Sequence, residues 1–305
     1  MTNDPIKIRN LTKFFDGRCV LDDITLNVPQ GCIYGLLGRN GTGKTTIIRI
    51  LLGLDTPTRG CTALLGADSQ HLTPPVKARI GYVAEAHVLI QSYKVGRLIK
   101  LYKDLAQNWN DTFFSRLMET FRLPMDRPVK QLSMGMRAQL NLSLAMAIDP
   151  ELLILDDPTL GLDTVARRQF LELAVDLLQK DGRTILFSSH ILSDVERIAD
   201  RIAILRAGTL VVDCPLEQLK ECVKKLRIIF ADSVPDDLCI TEIISRQSRG
   251  RELTLTVANW NQRKQTLLET FEPASCTEIP MSLEDIFIEC TRPDAAQPIT
   301  TQQEA

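Results

Sequence analysis

Eight consecutive residues carry the first recognisable chemistry. Gly38-Arg39-Asn40-Gly41-Thr42-Gly43-Lys44-Thr45 fits the pattern G-x-x-x-x-G-K-[ST]. Glycines at this spacing let the backbone wrap an anion with its N–H groups pointing inward, and a helix N-terminus behind them adds partial positive charge. A lysine at the seventh place reaches the β- and γ-phosphates of a nucleoside triphosphate, and the hydroxyl that follows is suited to Mg²⁺. A second constellation lies in Leu152-Leu153-Ile154-Leu155-Asp156-Asp157-Pro158. Two acids follow a continuously apolar run: Asp156 is suited to the same Mg²⁺, and Asp157 to taking a proton from attacking water. Read alone, the pair is equally a solvated strand end with a turn-forming Asp-Pro. His190 is the third group, two residues after the strand-like run Thr184–Ser188 and just before a helical pattern.

These groups need a scaffold that brings distant segments to one edge. Short apolar runs alternate with helical patterns over the first ~210 residues, the signature of an α/β sheet. Strands are expected at 6–9, 24–28, 32–37, 62–65, 80–84, 152–155, 184–188, 202–205 and 209–212, and helices at 44–52, 95–106, 112–121, 136–148, 164–179, 191–198 and 216–224. The unbroken apolar run Leu152–Leu155 predicts a strand covered on both faces. With that order, the glycine-rich loop, the acid pair and His190 all fall at the C-terminal ends of strands, where open α/β sheets bind ligands. After about residue 225 the pattern changes. Strand-like runs at 226–230, 239–245 and 252–257, a helix at 261–271 and a last helix at 283–289 predict a small α+β appendage over 225–292, with a disordered tail at 293–305.

Composition limits the alternatives. Of 305 residues 44% are apolar and 24% charged, enough for a sizeable core. The net charge of −2 gives no overall basic excess of the kind that nucleic-acid backbone selects. No run of 18 apolar residues is present and the first residues lack a basic head and an apolar stretch, so neither a membrane span nor a signal peptide is expected and the cytosol is the default. Eight scattered cysteines form no C-x-x-C pair, which argues for reduced, packed thiols.

Further along, Leu132-Ser133-Met134-Gly135-Met136 begins 88 residues after Lys44, Leu160-Gly161-Leu162-Asp163 follows the acid pair, and the phosphate loop, acids and His190 stand in this same order. In order and spacing, residues 5–215 resemble the ATP-binding subunits of ABC transporters, with a P-loop NTPase cassette over 1–224 and a helical subdomain at about 87–150. The resemblance implies that Leu132–Met136 is the signature sequence, with Met where a glycine and the glutamine are commoner, that Leu160–Asp163 is the D-loop and that His190 is the switch histidine. It implies bound ATP and Mg²⁺. The nucleotide-binding residues would be Phe15, Gly38, Arg39, Asn40, Gly41, Thr42, Gly43, Lys44, Thr45 and Thr46, the Mg²⁺ residues Thr45, Asp156 and Glu85, and the catalytic residues Lys44, Asp157 and His190. Phe15 is chosen over Phe14 for stacking on adenine by its spacing to Gly17. Ser133 and Gly135, at a helix N-terminus, would serve the ATP of a second subunit, so that two chains (a homodimer, or this chain with a related one) sandwich two nucleotides head to tail.

Glu85, in Gly81-Tyr82-Val83-Ala84-Glu85, stands where the family more often has glutamine, and with the Ser133–Arg137 wording and Ser282–Phe287 it resembles the ABC-2 type branch of drug and antibiotic exporters. Asp157 stands where the family usually has glutamate. One methylene fewer withdraws the carboxylate by roughly 1.5 Å, which predicts slow or geometry-adjusted hydrolysis with binding and closure intact. The implied role is to energise export through a separate membrane permease from the cytoplasmic face of the membrane, without nucleic acid. The permease is expected to dock on about residues 87–105, with Tyr93, Val95, Leu98 and Ile99 as its apolar contacts unless these face the chain's own core. Two other functions remain open in the sequence: a nucleotide-gated regulator that hardly hydrolyses, and a soluble ATPase acting on ribosomes or DNA, against which stand the single phosphate loop and the absence of heptads.

Overall fold

Every residue of Leu152–Asp156 is buried, as its unbroken apolar run requires, and the strand it forms lies inside the central sheet. The computed structural model describes residues 4–85, 88–179, 182–235, 238–292 and 299–300. In chain order its elements begin with β1 (Ile6–Phe15), β2 (Arg18–Val28), β3 (Ile33–Gly38), α1 (Lys44–Leu51), β4 (Arg59–Leu64), β5 (Ala67–Asp68), α2 (Pro74–Lys77) and β6 (Ile80–Val83). Three helices follow, α3 (Val95–Leu105), α4 (Asp111–Phe121) and α5 (Met134–Ala147). The chain then forms β7 (Leu152–Asp156), α6 (Thr164–Gln179), β8 (Thr184–Ser189), α7 (Leu192–Ile198), β9 (Arg201–Arg206), β10 (Thr209–Pro215) and α8 (Leu216–Cys222).

The central sheet has the order β10-β9-β3-β8-β7-β6, parallel from β9 to β6 with β10 antiparallel at one side. β3 and β7 both lie beside β8, so the loops after these three strands open at one edge. A second, antiparallel sheet, β2-β1-β4-β5, covers α1 and shares with it a core that includes Ile6, Ile8, Leu26, Ile47 and Ile50. β1 and β2 are longer than the alternation in the sequence suggests, because their pairing shifts register three times and each shift breaks the period of two.

The helical subdomain has its own core, built by Leu89, Val95, Leu98, Phe114, Leu117, Phe121, Leu140 and Leu144. α5 belongs to two cores at once: Leu140, Leu144 and Ala147 face the helical subdomain, whereas Ala138, Leu142, Ala145 and Met146 face the central sheet. A helix apolar on all sides must be covered on all sides. Its close approach to the sheet is at Gly81, where a Cβ would lie 2.7 Å from the Ala145 carbonyl oxygen and 2.8 Å from Leu153.

The C-terminal part is a four-stranded antiparallel sheet of order β12-β13-β11-β14, with β11 (Lys224–Ile229), β12 (Ile243–Arg249), β13 (Glu252–Val257) and β14 (Ser275–Ile279), and helix α9 (Gln262–Glu269) between β13 and β14. The strand expected at 239–245 forms instead at Ile243–Arg249. Ile240 is buried without being in a strand, while the polar Arg246–Arg249 pair with β13 across a turn at Gly250, φ +59°. β14 was not expected, since Ile279 is its one large apolar side chain. Segment 225–292 does not close on itself: Leu283, Ile286 and Cys290 of α10 (Leu283–Cys290) enter the core of the central sheet together with Val195 of α7. Within the stretch expected to be disordered, β15 (Ile299–Thr300) instead pairs in parallel with Val212–Asp213, whose outer backbone edge is open to a further strand.

Gly81→Ala is expected to destabilise the fold by about 2 kcal/mol, because the contact at Gly81 is with backbone on one side and leaves little room to relax. Urea unfolding followed by circular dichroism measures it.

Candidate nucleotide site

The phosphate loop runs from the end of β3 into α1 with two left-handed glycines, Gly41 at φ +78° and Gly43 at φ +102°. At Gly43 a Cβ would also sit 2.4 Å from the Leu21 side chain, so only glycine fits against β2 there. Gly43 provides no side chain to cap α1, which leaves the helix's first N–H groups for a ligand. Thr42 Oγ1 donates to the Arg39 carbonyl at 2.8 Å and closes the loop. Lys44 is buried and donates from Nζ to the Gly38 carbonyl at 2.7 Å. Burial holds its ammonium below the usual lysine range, against the pull of Asp157, Asp156 and Glu85.

Asp156 ends β7, and its Oδ1 accepts from Ser188 Oγ at 2.7 Å and from Thr45 Oγ1 at 3.3 Å. Its Oδ2 is buried with no hydrogen-bond partner. Burial raises this carboxyl above the ordinary aspartate value, with the two hydroxyls pulling back down and Asp157 adding to the rise. A bare carboxylate oxygen beside a threonine hydroxyl fits Mg²⁺, which takes one or two carboxylates and completes its shell from phosphate and water. Among the described residues no three His, Cys, Asp or Glu side chains are grouped as a metal site.

Asp157 takes a left-handed conformation, φ +47°, which aspartate tolerates better than most residues. Its N–H donates to Ser188 Oγ at 3.0 Å, and its Oδ1 lies 2.7 Å from His190 Nδ1. With an ionised Asp157, Nδ1 carries the proton of that bond and Nε2 is the free ring nitrogen. A cleft of about 220 Å³ is lined by Val20, Asn40, Gly41, Gly43, Lys44, Thr45, Thr46, Glu85 and Asp157. Phosphate loop, acid pair and Glu85 therefore meet, as the sequence reading expects, and Asp157 holds His190 beside them. Phe15 lies outside the lining, 42% exposed at the end of the β1–β2 hairpin, paired with Arg18 and with Lys13 Nζ 4.6 Å over its ring. Phe14 is equally exposed, so exposure does not separate the two. Ser133 is the N-cap of α5, accepting from the Met136 N–H at 3.1 Å. Neither it nor Gly135 lines the cleft of its own chain.

Two participants escape sequence reasoning. Ser188 joins the acids, and its signal is a hydroxyl at the end of the strand beside them; Val20 lines the cleft from β2, with no signal beyond proximity to the hairpin. One expectation is corrected. Val95 and Leu98 are fully buried in the core of the helical subdomain, and Tyr93 and Ile99 pack against it, so these apolar residues serve their own fold and not a docking surface. His87, in the same stretch, lies outside the described residues.

A glycine-rich loop between β3 and α1, with an acid at the end of β7, the parallel strand on the far side of β8, defines a P-loop nucleoside triphosphatase. Residues 21–160 match the family model for ABC transporters. The chain is 33% identical over 286 residues to the "ABC transporter ATP-binding protein YtrB" of Bacillus subtilis (strain 168), covering 93% of this chain and 97% of that one. It is 32% identical over 295 residues to the "Nod factor export ATP-binding protein I" of Neorhizobium galegae, covering 94% and 84%. A solved ATP-binding subunit of an ABC transporter superposes with a TM-score of 0.65 at 28% identity, over 71% of this chain and 92% of that one. The chain belongs to the ATP-binding subunits of ABC transporters, and it binds and hydrolyses ATP. Its similarity to YtrB extends beyond the cassette into the C-terminal part.

The raised carboxyl of Asp156 sets a stability prediction. The folded protein holds this proton more tightly than the unfolded chain does. Below the unfolded pKa both states carry it and charging costs nothing; the penalty grows as pH rises toward the folded value and is in full force above it. Asp156→Asn is thus expected to raise the melting temperature of the nucleotide-free chain at neutral pH, to lose that advantage in acid, and to lose the thermal stabilisation that ATP gives. Melting curves at two pH values, with and without Mg-ATP, measure all three.

Proposed function

We propose that this chain powers export through a separate membrane permease, working as a head-to-tail pair with Mg-ATP at each interface. The observation that carries the pairing is the division of the site: Lys44, Thr45, Asp157 and Glu85 line one cleft, with Asp156 bonded to Thr45 beneath, while Ser133 and Gly135, at a helix N-terminus suited to phosphate, lie outside it. A nucleotide in the cleft meets half of the expected contacts, and a second copy turned about a two-fold axis supplies the rest. Export is supported by the similarity to the Nod factor export protein of Neorhizobium galegae and by the branch wording at Glu85 and Ser133–Arg137.

In this reading the loop amides and Lys44 hold the β- and γ-phosphates. Phe15 offers a ring face to the adenine. Thr45, Asp156 and Glu85 hold Mg²⁺, which when bound offsets charge on the phosphate oxygens. Asp157 orients the attacking water and takes its proton, held in place by His190 Nδ1 and by the Ser188 hydroxyl. The free Nε2 of His190 would be the ring nitrogen available to the phosphate whose charge grows as the bond breaks. Burial disfavours the charged forms of both Lys44 and Asp156, and phosphate beside the one and a cation beside the other would favour them.

For the permease, the surface that supports docking keeps only the end of the expected stretch 87–105, through Tyr102 and Leu105, and adds α2. Pro74, Lys77 and Ala78 of α2 and its end face Tyr102, Leu105 and Ala106 at the end of α3, with Ile148 beneath, across an apolar groove of about 430 Å³. Leu105 is 74% exposed there. The groove lies between the central sheet and the helical subdomain, where an apolar segment from a cytoplasmic loop of the permease would feel any movement of one against the other. No described helix is long and apolar enough to cross a membrane, so attachment to one requires such a surface.

Two experiments test this reading. Steady-state ATP hydrolysis is expected to rise more than linearly with protein concentration and to vanish in Lys44→Ala. Asp157→Asn should lower turnover by roughly a hundredfold, and Asp157→Glu, which extends the carboxylate into the cleft, should raise it. A fall in Asp157→Glu would show that the His190 bond has fixed the geometry around aspartate. Separately, Leu105→Asp is expected to weaken sedimentation with permease-containing membranes roughly tenfold.

A further inference from the structure

The signature wording departs from its usual form at Met134, and the structure gives that side chain a specific seat. Gly161, in the loop after the acid pair, has φ +75°, and a Cβ there would fall 1.8 Å from Met134 Sδ and 2.8 Å from its Cγ. The thioether thus occupies the space that any other residue at 161 would fill. Leu162 adds a neighbouring contact, its Cδ2 lying 3.8 Å from the Cβ position of Gly135. Met134 is nonetheless 56% exposed, so the seat is a contact on the surface and not part of a core.

The loop beneath the sulfur is stiff. Leu160 N–H donates to the Asp157 carbonyl at 3.1 Å and Leu162 N–H to the Thr159 carbonyl at 3.2 Å, two turns back to back. Beyond them Asp163 Oδ1 accepts from the Ala166 N–H at 2.8 Å and starts α6. Leu162 is buried in the main core. Gly161 is therefore four residues from Asp157 along a run of hydrogen-bonded turns.

We propose that Met134 is a positioning residue for Asp157: its thioether, seated on Gly161, fixes the N-terminus of α5 to the loop that carries the base. The N-terminal residues of the signature helix and the base of the same chain then move as one body, and a contact made at Ser133 is felt at Asp157. Methionine suits this task because its flexible, polarisable side chain follows an irregular surface closely. The proposal rests on reading Asp157 as the base.

The test is a double-mutant cycle on ATP hydrolysis with Met134→Ala, Gly161→Ala and the pair. Met134→Ala is expected to lower kcat roughly tenfold, the cost of a sub-ångström misplacement of a base, with KM for ATP within about twofold. Met134→Leu should restore most of the loss. Gly161→Ala pushes the sulfur from the same seat, so the double variant should be no slower than the slower single variant. Because Met134 is exposed, the melting temperature of Met134→Ala should equal that of the parent, which separates positioning from loss of fold. An unchanged kcat in Met134→Ala, or losses that multiply in the double variant, overturns the link; a loss confined to KM would assign Met134 to nucleotide contact instead and overturns it equally. Asp157→Asn with full turnover would sink the reading of the base itself, a result distinct from any outcome of the cycle.

Discussion

The Ser188 hydroxyl holds together two acids that repel one another. It donates to Asp156 and accepts from the Asp157 N–H, so a single oxygen sets the spacing of the residue suited to the metal and the residue suited to the water. It does so because β7 and β8 are neighbours in register, Asp156 opposite Ser188. The same register places β3 on the other side of β8, with Leu37 opposite Ser189. A slip of one residue in either pairing would turn each side chain to the opposite face. Because β3, β7 and β8 are buried on both faces, close packing on each face opposes that slip, and the precision of the site is inherited from the core beneath it.

The site also shows where stability yields to function. An ammonium and a carboxylate, Lys44 and Asp156, are buried with incomplete compensation, one acid oxygen without any partner. A core built for stability alone would place apolar groups there. The outlying ion pairs, such as Arg79–Glu151 and Arg227–Glu252, are solvated and do little to offset this. What offsets it is the extent of the two main cores, which meet across the central sheet.

Much of this was legible in the sequence wherever the chemistry is contiguous. The phosphate loop is a single run of eight residues, and Asp156-Asp157 sits directly on its strand. His190 could be placed because strand and helix patterns flank it. What was not legible depends on the third dimension. The apolar stripe Val95–Leu98–Ile99 has the same periodicity whether it faces a partner or its own core, and Phe114 and Leu117 of α4 decide for the core. Strand β14 hides because Ser275–Glu278 are exposed, so no alternation marks it. The attachment of α10 to α7 is invisible as well, for nothing in Leu283–Cys290 says which apolar surface will receive it.

The double membership of α5 has a mechanical meaning. Its C-terminal half is pinned where Ala145 meets Gly81, and Ser133 stands twelve residues away, about 18 Å along the axis at 1.5 Å per residue. Its other end is not free, because Met134 rests on the Gly161 loop. A tilt of about 10° about the Gly81 contact would carry Ser133 through about 3 Å, more than a hydrogen bond tolerates. The helix therefore cannot rock at that end without pressing on the loop that follows the acid pair.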